Sequence, residues 1–428
     1  MKAIQVGILM LVAFAVLAFG GVEPWGEAIL GIGAVVLFVL WGFLAVRRRH
    51  VNVHWNWLYL PLFGVGAGAL LQCVFGLSVY PYLTKIELLK WGACVLLFFL
   101  MIESFRTADE VKQFAWFLLI FGFLVSLFGI IQHFTFNGKL YWSVTLPSNA
   151  GPFGPFVNRD DFAGFVELTV PLGLALLFFR AWRREHLTLL LLFTIVPIAA
   201  VILSASRGGI IGVAFEFVLL LFFSHVRRIG RKQLLGATAL AVVAGAFIVW
   251  LGVSEAIERF EQLAPQESSQ GSRVSMYRDT WQIFAHHPWL GTGLGTLRVV
   301  FPRYESYYYD GLIIDHAHND YLELLADMGV VGGLCGLSFI ALLFWRGLTS
   351  ERSPKGHALL ALRAGSMTAC AGLLLHSLVD FNLHIPSNAL LFLLLASVTT
   401  SEVREPNGTH PLLGPFESVR PGGLRQEI

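Results

Sequence analysis

LTLLLLFTIVPIAAVILSASRGGIIGVAFEFVLLLFFS, residues 187–224, holds two apolar runs separated by the short polar stretch SASRGG at 204–209. Arg207 and Glu216 are its only charged residues. A bilayer core of ~30 Å needs roughly 20 apolar residues per crossing helix, and each run approaches that length. Neither alternates with a period of two, so both read as helices rather than barrel strands. Similar stretches recur along the chain, at about 4–22, 27–46, 57–77, 86–105, 114–134, 161–180, 187–205, 209–225, 234–252, 326–345, 361–380 and 386–402. The composition agrees: of 428 residues, 56% are hydrophobic and 14% charged, and mean hydropathy is +0.68. A soluble fold of this size could not hide so much apolar surface, which excludes a soluble enzyme, a disordered chain and a disulfide-stapled module. The reading is an all-α polytopic membrane protein of about twelve transmembrane helices.

Lysine and arginine bias orients it. With the N-terminus inside, the cytoplasmic segments take most of the basic residues, including Arg47–Arg49, Arg180, Arg183, Arg184, Arg227, Arg228, Arg231 and Lys232. An even number of spans returns the C-terminus to the cytoplasm. Residues 1–402 then form one transmembrane domain. Two outer segments are long: 135–160, rich in Gly, Pro and aromatics, and a helical loop over 253–325, whose length points to function. Residues 403–428 read as a flexible cytoplasmic tail. The N-terminal apolar run reads as a retained first span rather than a cleaved signal peptide. Cys73, Cys94, Cys335 and Cys370 lie in apolar runs without metal-ligand spacing. A net charge of +2 gives no sign of a nucleic-acid partner.

Several arginines lie outside against the usual bias: Arg159, Arg207, Arg259, Arg273, Arg278, Arg298 and Arg303. Burying a lone guanidinium between apolar helices costs at least ~2.5–3.5 kcal/mol, so Arg207 points to an anion site; the plain alternative is an arginine snorkelling from a helix end. Arg273 and Arg278 lie five apart and do not share a helical face well, so one of them is expected to enter such a site. Trp281 suits an interfacial helix, and GTGLG (291–295) reads as a tight turn of close backbone approach, not a nucleotide loop. Where the long loop returns to the membrane, DHAHNDYLELLADMGVVGG (315–333) places His316 and His318 among Asp315, Asp320, Glu323 and Asp327. A metal site on the histidines and a carboxylate competes there with a general base, an imidazole able to take a hydroxyl proton, and with a merely structural histidine. Guanidinium forks match phosphate oxygens. Together with a basic histidine they suit transfer from a lipid-linked diphosphate, with charge stabilisation of the leaving group carrying most of the catalysis.

At these residues the chain resembles the bacterial O-antigen ligase and polymerase superfamily. His318-Asn319, nine residues, Gly329, two valines and Gly332 match the ligase motif in full. SRGG at 206–209 is similar to the stretch bearing that family's first essential arginine, Arg207. The stretch from 271 to 296 resembles the one bearing the second, placed at Arg273 with Arg278 as the alternative. The likeness extends to FVNRDDFAGFVEL (156–168) and HSLVDFNLHIPSNALL (376–391). It implies a GT-C-like, twelve-span glycosyltransferase of the bacterial inner membrane, metal-independent, without cofactor, inverting and acting at the periplasmic face. The implied donor is an undecaprenyl diphosphate-linked glycan. The acceptor is lipid A–core in a ligase, or a lipid-linked repeat unit in a polymerase; relatives also glycosylate proteins. His318, Arg207 and Arg273 stand as catalytic candidates, with Arg278, Arg159, His316, Asn319, Glu323 and Asp380 binding substrate among the membrane lipids.

Glu167 and Glu216, inside apolar stretches, either support that site through Arg159 or Arg207 or are protonated and hydrogen-bonded. His376 and Asp380, one turn apart, orient substrate or pair structurally. Trp142 and Tyr307–Tyr309 are candidate sugar platforms. A transporter of lipid-linked oligosaccharide would instead need charges along an interior pathway, whereas these arginines cluster at one face.

Overall fold

The computed structural model describes residues 1–47, 53–146, 151–182, 184–226, 273–307, 314–350 and 357–403. The apolar stretch at 234–252, the basic cluster at 227–232, Arg259, the first part of the long loop (253–272), Tyr308, Tyr309 and the tail from 404 lie outside the described residues. The described chain is helical: α1 (Lys2–Leu17), α2 (Pro24–Arg47), α3 (Tyr59–Val74), α4 (Pro81–Ser104), α5 (Ala108–Phe134), α6 (Arg159–Glu167), α7 (Val170–Phe178), α8 (Leu187–Leu203), α9 (Arg207–Val226), α10 (Arg273–His286), α11 (Asp320–Ser350), α12 (His357–His376) and α13 (Pro386–Thr400). Among the described residues the sheet is limited to the pair Lys139–Leu140 and Val144–Thr145.

Seven described helical segments are long and apolar enough to cross a membrane: Pro24–Arg47, Ala108–Phe134, Arg159–Phe178, Arg184–Leu203, Arg207–Ser224, Asp320–Thr349 and His357–His376. Fewer segments qualify than the apolar stretches suggest, for physical reasons. Helices α1, α3 and α13 are apolar but shorter, and α4 carries Lys85, Glu87, Lys90 and Glu103.

Helices α6, α7, α12 and α13 form the buried centre. By contrast α2 turns Ile32, Val35, Val36, Val39 and Phe43 outward, an apolar surface suited to lipid rather than water. Local signals set the boundaries. Thr107 and Glu110 cap α5 reciprocally, Thr107 Oγ1 accepting from the Glu110 N–H and Glu110 Oε2 from the Thr107 N–H. The expected span at 161–180 is broken between α6 and α7, just before Pro171, whose missing N–H removes a helical hydrogen bond. In α11, Gly329 takes φ 62° and ψ −157° and interrupts the helix; this region of backbone space is essentially reserved for glycine.

Candidate functional site

Two loops, 314–319 and 377–385, cross where α11 begins and α12 ends. Asn319 ties them: its Oδ1 accepts from the N–H groups of Tyr321 and Leu322, capping α11, and its Nδ2 donates to the Leu378 carbonyl at 2.8 Å. The Asp320 N–H donates to the Ser377 carbonyl at 3.0 Å. His318 sits just before the cap at φ 49°, a left-handed conformation uncommon for a residue with a Cβ and held here by its surroundings.

That conformation brings His318 Nδ1 within 3.1 Å of Asp380 Oδ1. Asp380 is buried, and the same oxygen accepts from the Phe381 N–H at 2.9 Å. Burial pushes the Asp380 carboxyl upward. The hydrogen bond and charge of His318, together with His376 and Arg273, outweigh this and hold it below its ordinary value. A carboxylate at Nδ1 makes that nitrogen the donor and leaves Nε2 as the basic one. From α10, Tyr277 donates its hydroxyl proton to the His318 carbonyl at 2.9 Å, and Arg273 Nη1 donates to the Val379 carbonyl at 2.6 Å.

The turn that carries Arg207 packs against His376, a close neighbour of Asp380. Ser204 and Ser206 shape the turn between α8 and α9, their hydroxyls accepting from the N–H groups of Ser206 and Gly209, with Ala205 at φ 53°. Gly208 then packs flush on His376: a Cβ there would lie 2.5 Å from His376 Cδ2. His376 Nδ1 meets Glu167 Oε1 at 2.8 Å, both fully buried, and Gly212 leaves room for that carboxylate. Asp160, beside Arg159 at the start of α6, completes the junction, since ligand atoms of Asp160, His376 and Asp380 lie within 4.8 Å of one another. Glu167 thus meets His376, and Glu216 lies buried against Gly372.

A second cluster adjoins the first. Glu323 accepts from His316 Nδ1 at 2.9 Å and the Ala317 N–H at 2.8 Å, and lies 3.3 Å from His384 Nε2. His384 Nδ1 meets Asp320 Oδ1 at 2.7 Å. Burial lowers the pKa of His384, but Glu323 and Asp320 outweigh it and raise the value to about 10. Below this cluster the GTGLG segment wraps the break in α11. Gly291, Gly293 and Gly295 all have positive φ, the Gly295 N–H donates to Asp327 Oδ2 at 2.6 Å, and the Val330 N–H donates to the Pro288 carbonyl at 2.7 Å. A Cβ at Gly329 would lie 2.7 Å from the Leu290 nitrogen, which gives this glycine its physical reason.

The fold therefore gathers His318, Asp380 and Arg273 directly, and brings to them the helix starts that carry Arg159 and Arg207. Arg278 is exposed on α10, turned away from Arg273 by the five-residue spacing. His316 and Glu323 join each other and His384 instead. The histidines lie in an irregular segment ahead of α11, not on a helix. They share a neighbour, Phe381, on which His316 stacks at 4.5 Å and with which His318 makes a T-shaped contact at 4.9 Å. Among the described residues two groups have metal-ligand character, His316–Glu323–His384 and Asp160–His376–Asp380; His316 and His318 do not share one. Sequence reading missed Asp160, Tyr277, Phe381 and His384. The carboxylates and imidazoles could have been flagged by type, but each finds its partner only across distant segments.

Residues 189–337 match the family model described as O-Antigen ligase. The match runs from α8 through Arg207, Arg273 and His318 into α11, so the resemblance read from the sequence holds over the stretch with these candidates. The chain is also similar, at 21% identity over 238 residues, to the teichuronic acid biosynthesis protein TuaE of Bacillus subtilis (strain 168). That alignment covers 53% of this chain and 47% of TuaE, so the chain spans about half the length of that relative. With its apolar helices, the chain is a membrane protein, and its residues 189–337 resemble the O-antigen ligase family.

Proposed function

We propose that the chain is a metal-independent, inverting membrane glycosyltransferase that moves a glycan from undecaprenyl diphosphate to an acceptor hydroxyl, with O-antigen ligase-type transfer to lipid A–core as the first reading. The observation that carries it is the His318–Asp380 hydrogen bond, set where Arg273 and the helix starts of Arg159 and Arg207 converge. Asp380 keeps the Nδ1 proton in place, and Nε2 takes the proton of the attacking hydroxyl. The acceptor oxygen bonds to the anomeric carbon on the face opposite the diphosphate. The bond from that carbon to the phosphate oxygen breaks, its electron pair leaves with the carrier, and the configuration inverts. Arg207 and Arg273 balance the charge of the departing diphosphate, with Arg159 and Arg278 as further contacts, and Asn319 holds the loop that presents His318. In this reading the chain crosses the bacterial inner membrane about twelve times in a GT-C-like arrangement, with both termini cytoplasmic and the site periplasmic. Residues 1–402 form the catalytic domain and 403–428 a tail.

The similarity to a teichuronic acid biosynthesis protein favours a second reading, polymerisation of lipid-linked repeat units by the same chemistry. Reconstitution with lipid-linked glycan and alternative acceptors distinguishes the two. A single capped product on lipid A–core supports the ligase, and a ladder on the carrier supports the polymerase. Movement of the donor across the bilayer without a new glycosidic bond would refute both in favour of transport. Transfer that fails in chelator and returns with a divalent ion would refute the metal-independent chemistry.

A further inference from the structure

We propose that His316, Glu323 and His384 form a binding site for a divalent cation of the zinc class. One ligand atom from each of the three lies within 4.8 Å of the others, and Glu323 Oε1 faces both His316 Nδ1 and His384 Nε2. The two edges that meet at Glu323 measure 2.9 and 3.3 Å. A tetrahedral ion with ligand bonds of about 2.0–2.1 Å separates its ligands by roughly 3.3 Å; the two edges at Glu323 lie within a few tenths of an ångström of that, and the two rings would close the third edge from at most 4.8 Å. Two imidazoles and one carboxylate suit zinc, cobalt or nickel better than calcium or magnesium, which prefer all-oxygen shells.

The surroundings are those of a built site. His384 Nδ1 is held by Asp320 Oδ1 at 2.7 Å, the outer carboxylate that fixes the ring and leaves Nε2 for the ion. Glu323 is oriented by the Ala317 N–H on its other oxygen, at 2.8 Å, and Asp320 by the Leu383 N–H at 3.1 Å. Both carboxylates are buried, whereas the two histidines are half-buried, so an ion can enter from solvent. Three protein ligands leave a fourth position that water would fill.

The site is distinct from the base proposed for transfer. Phe381 packs against both, stacked on His316 and steeply inclined to His318, while His316 pairs with Glu323 and His318 with Asp380. The ligands come from both crossing loops, so an ion would clasp 314–323 to 377–385. Without it, the hydrogen bonds of Glu323 and Asp320 hold the same crossing. The ion takes the place of the protons that His316 Nδ1 and His384 Nε2 share with Glu323, while Asp320 keeps its hydrogen bond to His384 Nδ1; it adds stability, and transfer proceeds with or without it. The proposal goes beyond the transfer reading and its test needs no activity.

The test uses the detergent-solubilised full chain with its affinity tag removed, stripped with chelator and equilibrated with Zn2+ or Co2+. Elemental analysis should find one equivalent of zinc, Co2+ should show the intense visible bands of a tetrahedral site, and the melting temperature should rise by a few degrees. His384→Ala should weaken binding at least 100-fold and Asp320→Asn about 10-fold, while His318→Ala still binds one equivalent. Should His384→Ala fail to fold, the near-isosteric Glu323→Gln gives the same readout. Absence of stoichiometric zinc in the wild type, or undiminished binding in a folded His384→Ala or Glu323→Gln chain, overturns the proposal.

Discussion

Replacing Gly208 by alanine should damage the site without touching any residue proposed to meet substrate. The new methyl would lie 2.5 Å from His376 Cδ2, where carbon atoms prefer about 3.5–4.0 Å. The overlap is about 1 Å. The imidazole cannot retreat, because its Nδ1 is pinned 2.8 Å from Glu167 in a fully buried pair. Either α9 moves outward by about that distance, or the ring turns and the buried pair breaks. Overpacking of this kind costs about 1–3 kcal/mol, and a buried polar group left unpaired costs about as much again. Arg207 is the preceding residue, and a 1 Å misplacement of a positioning group can cost on the order of 10²-fold in rate. Gly208→Ala should therefore lower kcat/KM for transfer by about 10–100-fold and the melting temperature by several degrees, read by product formation in proteoliposomes and a thermal melt. Gly31→Ala, on α2 with nothing near its Cβ, should be neutral or slightly stabilising. A Gly208→Ala chain with wild-type melting and activity within twofold would refute the coupling of α9 to His376.

Arg207→Ala, Arg207→Lys and His318→Ala should each abolish detectable transfer while the chain stays folded by circular dichroism; an active Arg207→Lys would show that bidentate phosphate contact is not required. Arg273→Ala should reduce transfer by at least 10-fold, since it also frees the Val379 carbonyl beside Asp380, whereas exposed Arg278→Ala should cost less than threefold; the reverse order, by initial rates, would reassign the second arginine. Burial raises the Asp380 carboxyl, and the contacts with His318, His376 and Arg273 outweigh it, so the net shift is downward. Its contribution to stability is therefore fully present above about pH 4 and lost as pH falls through the lower folded value. Asp380→Asn should lower the melting temperature at pH 7, with the gap to wild type closing as both are taken below pH 4. Gly329→Ala would force a side chain to φ 62° against the backbone of Trp289 and Leu290, and should cost about 2–4 kcal/mol, measured as lost thermal stability; an unchanged melt would mean that the GTGLG turn does not depend on this break.

Membrane class, helical period and the types of residue in the site were legible in the chain because they are local properties. Apolar run length reports a bilayer directly. Arg207 stands out between two apolar helices whatever surrounds it, and the spacing from His318 through Gly329 to Gly332 survives as a pattern. The sequence also carried the glycines of GTGLG, whose positive φ values match the tight turn read from it. It did not carry the break between α6 and α7 as clearly, since Pro171 is tolerated in the first turn of a helix as readily as it interrupts one.

Pairing was decided by tertiary structure. Asp380 meets His318 across a sequence separation of 62 residues because the end of α12 crosses the start of α11. His376 meets Glu167 only because Gly208 and Gly212 let α9 lie flush against both. His316 and His318, two residues apart, were divided between different carboxylates by a left-handed backbone at His318 and by the ring of Phe381. Composition and spacing record which groups are present. Which group faces which depends on loop crossings and close helix contacts between segments far apart in the chain, and that choice sets the proton's place on His318.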